Sequence, residues 1–112
     1  MHVLIIGGDR IESVALRLRA LGVEEVTHWN ARKESSTSRK RLPRRTDCII
    51  LITEYLGHNI MKIFKKEAKR QKIPFLCTKR CEHDILCRFC RFAGIQGENC
   101  PLLENRNEEK ER

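Results

Sequence analysis

Asp47-Cys-Ile-Ile-Leu-Ile-Thr53 reads as a strand buried on both faces: an unbroken apolar, β-branched run entered through an aspartate, with no polar alternation to leave one face in water. Val3-Leu-Ile-Ile6, closing on Gly7-Gly8, has the same character followed by a tight turn. Both strands belong at the centre of a sheet. Between them, Ile11, Val14, Ala15, Leu18 and Leu21 recur at three- and four-residue steps and stop at Gly22, which predicts an amphipathic helix with a glycine end. Residues 24–29 make a weaker strand. After the second central strand, His58 to Lys72 reads as a helix with Ile60, Met61, Phe64 and Ala68 on one side and Lys62, Lys65, Lys66, Lys69 and Arg70 around the other.

Pro74-Phe-Leu-Cys77 supplies a fourth strand, with Pro74 suited to its first residue or to an edge. Ile85, Leu86, Phe89, Phe92 and Ala93, ending at Gly94, predict a short final helix. Alternation of strands and helices, joined by right-handed crossovers, gives an α/β fold: a small doubly wound parallel sheet of about four strands, flavodoxin-like or half-Rossmann, in spatial order 2-1-3-4. The chain of 112 residues holds one modest core. It divides into an α/β core domain over 1–80 with a basic loop at 31–46, a cysteine-rich appendage over 81–101 packed on that core, and a polar tail over 102–112.

No apolar run approaches the ~20 residues that span a bilayer, so no membrane location is expected. Met-His-Val-Leu-Ile-Ile-Gly-Gly lacks the basic flank and small-residue cleavage site of a secretory signal, and six cysteines then imply a reducing, cytoplasmic setting rather than a disulfide framework. The net charge is +8, unevenly spread: Arg32 to Arg91 holds 17 of the 23 basic residues but six of the 15 acids. A nucleic acid or other polyanion is the partner this suggests. Arg39, Lys40, Arg41, Arg44 and Arg45 sit among Ser35, Ser36, Thr37, Ser38 and Pro43, a composition that reads as an exposed flexible loop. A solvated loop that only aids solubility is the competing reading. So small a sheet leaves edges that a homodimer would cover.

Open parallel sheets bind ligands at the carboxyl ends of their strands, which here are Gly7-Gly8-Asp9-Arg10, Trp29-Asn30, Thr53-Glu54 with His58 beyond, and Thr78-Lys79-Arg80-Cys81. Gly7, Gly8, Asp9, Arg10, Thr53, His58, Lys79 and Arg80 are therefore candidates for an anion or cofactor site at helix N-termini. Gly-Gly-Asp-Arg matches neither a phosphate-binding loop nor a dinucleotide fingerprint, and a structural turn is the simpler account.

Cys81-Glu-His-Asp-Ile-Leu-Cys87-Arg-Phe-Cys90, with Cys100-Pro101 beyond, concentrates four thiols and an imidazole. Cys87 and Cys90 lie three apart on one helix face, and Cys81 approaches from the preceding loop; Cys100, His83 or Cys77 would complete four ligands. Zinc suits that donor set first, and an iron–sulfur cluster is the rival, since four thiolates are its usual shell. The opposing reading is buried free thiols, because Cys90 falls beside Leu86 and Phe89; Cys48 and Cys77, inside strands, read as core. A redox switch is a third reading, with Lys79, Arg80, Arg88 and Arg91 stabilising thiolates.

Val3-Leu-Ile-Ile-Gly-Gly8, Trp29, Asp47-Cys-Ile-Ile-Leu-Ile-Thr53, the Leu56-Gly-His58 step, the lysine-rich helix and Ile73-Pro74 together resemble domain of unknown function family 2325 over about residues 3–80. The resemblance implies a small bacterial α/β domain without established enzymatic activity, some of whose relatives are linked to iron or haem. His58 matches the family's usual histidine after the third strand, with Gly57 where serine is more common. His58 is then the candidate haem ligand, although an aromatic content of 5% is lean for a haem pocket. No Ser/His/Asp or paired-carboxylate arrangement stands out, so the chain is expected not to be an enzyme. Two classes remain: a non-enzymatic metal-dependent or redox-responsive binding protein, and a nucleic-acid-binding module with structural zinc.

Overall fold

The computed structural model describes residues 1–94, and its inner strands are the two apolar runs: β1 (His2–Ile6) and β3 (Cys48–Ile52). They pair in parallel, Val3 opposite Cys48 and Ile6 opposite Leu51. β2 (Glu25–Trp29) flanks β1 and β4 (Phe75–Thr78) flanks β3, both parallel, so the sheet order is β2-β1-β3-β4. That is the order expected from right-handed crossovers in a doubly wound sheet. Every residue of β3 is buried, while β2 and β4, as edges, are largely half-buried.

Side chains alternate across the strands and feed two apolar layers. On one face Val3, Ile5, Cys48, Ile50 and Ile52 meet α1 (Glu12–Ala20), through Val14 and Leu18, and α4 (Glu82–Ala93), through Ile85, Leu86 and Phe89. On the other face Leu4, Ile6, Ile49 and Leu51 meet α3 (His58–Gln71), through Ile60, Phe64 and Ala68. Helix α4 ends as its sequence implies, with Gly94 in the left-handed region at φ 74°, whereas α3 closes on a left-handed lysine, Lys72 at φ 59°, where no glycine marks the end. Among the described residues no helix is long and apolar enough to cross a membrane.

One stretch departs from expectation. The segment over 31–46 is not a featureless exposed loop: it contains a one-turn helix, α2 (Glu34–Thr37), and buries Thr37 and Leu42. Leu42 joins the cluster that holds Ile60, Phe64 and Ala68, and Ala31 packs against the same cluster, so the segment is docked onto the α3 layer with Leu42 as its buried apolar anchor. Cys100, and the polar tail over 102–112, lie outside the described residues.

Candidate functional site

Turns at the carboxyl ends of the strands gather the residues proposed for an anion site, and most of their polar groups already have partners within the protein. Gly7 and Gly8 take φ 110° and 84°, a region that side-chain-bearing residues rarely occupy. A Cβ on Gly7 would stand 3.1 Å from the Ile52 carbonyl oxygen, and one on Gly8 would stand 3.2 Å from the Tyr55 ring. The pair therefore serves close packing between β1 and the Thr53–Tyr55 turn, and Tyr55, unremarked in the sequence, lies against the crevice between β1 and β3. The Gly7 carbonyl is also within 3.1 Å of His28 Nε2.

Charged groups around this rim are similarly engaged. Asp9 accepts from Arg32 Nε at 2.7 Å with a second contact at 2.6 Å to Nη2, and the guanidinium holds that carboxyl below its usual range. The backbone N–H groups of Lys79 and Arg80 donate to Asp84 Oδ2 and Glu54 Oε1, each at 2.8 Å. Carboxylates of the protein thus occupy the positions that an anion would take at the end of β4. Thr53 donates to the Thr78 carbonyl at 3.2 Å, whereas Arg10 and His58 stand exposed. The hydroxyl of Thr78, a buried residue, has no hydrogen-bond partner among the described residues.

The cysteines separate. Cys87 and Cys90 do share a face of α4, as the three-residue step requires, but that face is the one pressed into the core with Leu86 and Phe89. Cys81, at the N-cap of α4, is exposed, and Cys77 packs with the α3 layer on the opposite side of the sheet. His83 is half-buried in the first turns of α4. Among the described residues no group of three or more His, Cys, Asp or Glu side chains is gathered to hold a metal ion. The described thiols do not fit a closed zinc or iron–sulfur shell, because two of them belong to the apolar layer and a third lies across the sheet. His58 fits a haem no better: its exposed position is the reverse of the apolar pocket the macrocycle needs. Cys48 is a core thiol, pushed up to about 12 by burial, with the neighbouring Asp47 charge adding to the effect.

The basic residues, in contrast, converge. Leu42 and α3 belong to one apolar cluster, so Arg39, Lys40, Arg41, Arg44 and Arg45 come to the same side of the sheet as Lys62, Lys65, Lys66 and Lys69. Lys40 Nζ lies 5.0 Å from the centroid of the Trp29 ring, and Trp29 in turn meets Phe64 of α3 at 5.7 Å. Eight of these nine cations are exposed and Lys65 is half-buried. Among the described residues none of the nine forms a salt bridge, whereas Arg17, Arg32, Arg80 and Arg88 elsewhere each pair with a carboxylate. Glu67, the one acid of α3, is taken by Arg70 and Gln71, whose hydrogen bonds hold it at about 2. The lone leucine among five cations was the sequence signal for this docking, and charge density around it hid the signal.

A protein-family model described as "Uncharacterized protein conserved in bacteria (DUF2325)" matches residues 2–91. The match runs past residue 80 through Cys81, Cys87 and Cys90, and the remainder of the C-terminal segment lies outside it. No curated protein and no solved structure matches the chain.

Proposed function

The chain belongs to the DUF2325 family, and from that premise and its own geometry we propose that it is a non-enzymatic nucleic-acid-binding domain that grips phosphates with the basic face of α3 and the 39–45 segment. The observation that carries this reading is the set of nine cations on one side of the sheet, free of salt bridges among the described residues and drawn together by the burial of Leu42. Long, unpaired lysines and arginines on a rigid scaffold neutralise phosphates and release counterions, with little demand on base sequence. Trp29 and Lys40 add an aromatic surface beside the charge.

The test is anisotropy of labelled single- and double-stranded oligonucleotides across a salt series. Engagement of about six phosphates gives a log–log slope near −5. Substituting Arg39, Lys40, Arg41, Arg44 and Arg45 with glutamine should abolish tight binding; absence of binding by the native protein at low salt would defeat the reading.

A thiol-based redox response is the second reading, supported by one observation: Cys81 is exposed at the N-cap of α4, beside Lys79 and Arg80, while three other cysteines are buried. It predicts that oxidation changes oligomeric state or ligand affinity, and a Cys81→Ser protein that responds like the native one would remove it.

A further inference from the structure

A cavity of about 250 Å³ opens at the carboxyl end of β2, lined by Asn30, Arg32, Lys33, Ser36, Thr37 and Lys40. Three of those six side chains are cationic and none is acidic. Arg32 has spent two of its five N–H donors on Asp9, and the others remain for a ligand. Lys33 and Lys40 bring charge that no carboxylate offsets among the described residues. The Asn30 side-chain oxygen accepts from the Arg32 backbone N–H at 3.1 Å, which leaves its amide N–H groups as donors. Ala31 takes the left-handed region at φ 61°, a conformation costly for alanine that shapes the turn at the cavity wall.

This donor-rich lining, which holds no carboxylate among the described side chains, contrasts with the ends of β1, β3 and β4, where Asp9, Glu54 and Asp84 already fill the donor positions. We infer that the cavity is a binding site for a terminal phosphate dianion, held by Lys33, Lys40 and the spare Arg32 donors. A phosphomonoester carries close to two charges at neutral pH and three acceptor oxygens, which match two ammonium groups and a guanidinium. The site shares Lys40 with the basic face but requires only the phosphate, and Lys33 and Arg32 belong to the cavity alone. The phosphate can come from a small phosphate ester or from the 5′ end of a nucleic acid strand.

The protein carries its own reporter. Its single tryptophan, Trp29, lies under Lys40, and a phosphate that draws Lys40 Nζ off the ring changes the indole environment. The experiment follows the Trp29 indole N–H and the backbone amides of the full chain by NMR as inorganic phosphate is added at fixed ionic strength, with chloride as the control ion. Saturable shifts at Asn30, Lys33 and Trp29 are expected, with a dissociation constant on the order of 1 mM. A Lys33→Gln/Lys40→Gln protein should bind at least about tenfold more weakly. An Arg19→Gln protein, altered at an exposed residue of α1 that does not line the cavity, should bind as the native one does.

A second arm compares 5′-phosphorylated and 5′-hydroxyl oligonucleotides. Preference for the phosphorylated strand that disappears in Lys33→Gln/Lys40→Gln assigns the phosphate to a nucleic acid end; saturable phosphate binding without that preference assigns it to a small ester. Absence of saturable shifts up to about 50 mM phosphate, or equal shifts with chloride or in the double variant, would overturn the inference.

Discussion

Leu42→Ala separates the docking of the basic segment from the charge it carries. Leu42 is 9% exposed and belongs to the apolar cluster that also holds Ile60, Phe64 and Ala68. Leucine-to-alanine changes in well-packed cores cost about 2–5 kcal/mol, and the value falls where the surroundings can close over the gap. Leu42 sits between exposed Arg41 and half-buried Pro43 in a segment without regular structure, so the low end, about 2 kcal/mol, is expected. A domain of this size has roughly 5–15 kcal/mol of stability, so the variant stays folded. Its effect on binding is larger than its effect on folding. With the segment undocked, the five cations of residues 39–45 no longer hold a fixed position relative to the four lysines of α3. If the α3 lysines alone continue to engage, contacting about three phosphates, the salt slope moves from about −5 to about −3. Urea unfolding followed by Trp29 fluorescence gives the first quantity, and oligonucleotide anisotropy at several salt concentrations gives the second. Leu16→Ala, at a residue 66% exposed, serves as the control with no change in either. An unchanged salt slope together with the expected loss of stability would refute the claim that docking builds the basic face. Unchanged stability would refute the docking itself.

Three further outcomes are expected. Gly7→Ala should destabilise by about 1–3 kcal/mol in urea unfolding, because it meets backbone at a positive φ, and Gly8→Ala by less, because the exposed Tyr55 ring can move aside; the reverse ranking would show that the ring, not the Ile52 carbonyl, limits the turn. Thr78→Val removes a buried hydroxyl that lacks a partner among the described residues, so stability should rise by about 1 kcal/mol, and a loss of that size would reveal a bond this hydroxyl makes. Among Cys48, Cys81, Cys87 and Cys90, iodoacetamide followed by peptide mapping should modify Cys81 rapidly in the native protein and the other three only after unfolding; equal rates at Cys87 or Cys90 would contradict their place in the core.

The inner strands were legible because their apolar runs admit no amphipathic alternative, and the order of the sheet then followed from crossover handedness. α2 was not, since Glu34 to Thr37 has no apolar period and is held by the chain around it. The cysteine step shows how far spacing reaches: it placed Cys87 and Cys90 on one face of α4, but periodicity does not say whether a face meets an ion or a core. Leu86 and Phe89 on the same stripe were the available hint. Pairings such as Asp9 with Arg32 and Arg80 with Glu54 join separate turns, and nothing local in the chain announces them.

The register of the two inner strands also governs how the protein comes into being. β1 is synthesised first, yet one of its two edges waits for β3, with Val3 opposite Cys48. Until Ile52 has left the ribosome, Val3 to Ile6 has only the weaker β2 beside it, and neither apolar layer has its floor. Distant parallel pairings of this kind close slowly and leave a sticky strand uncovered meanwhile. A nascent chain that has emerged only as far as the basic 39–45 segment is therefore exposed to aggregation and to capture by chaperones, and emergence of β3 is the step that ends that exposure.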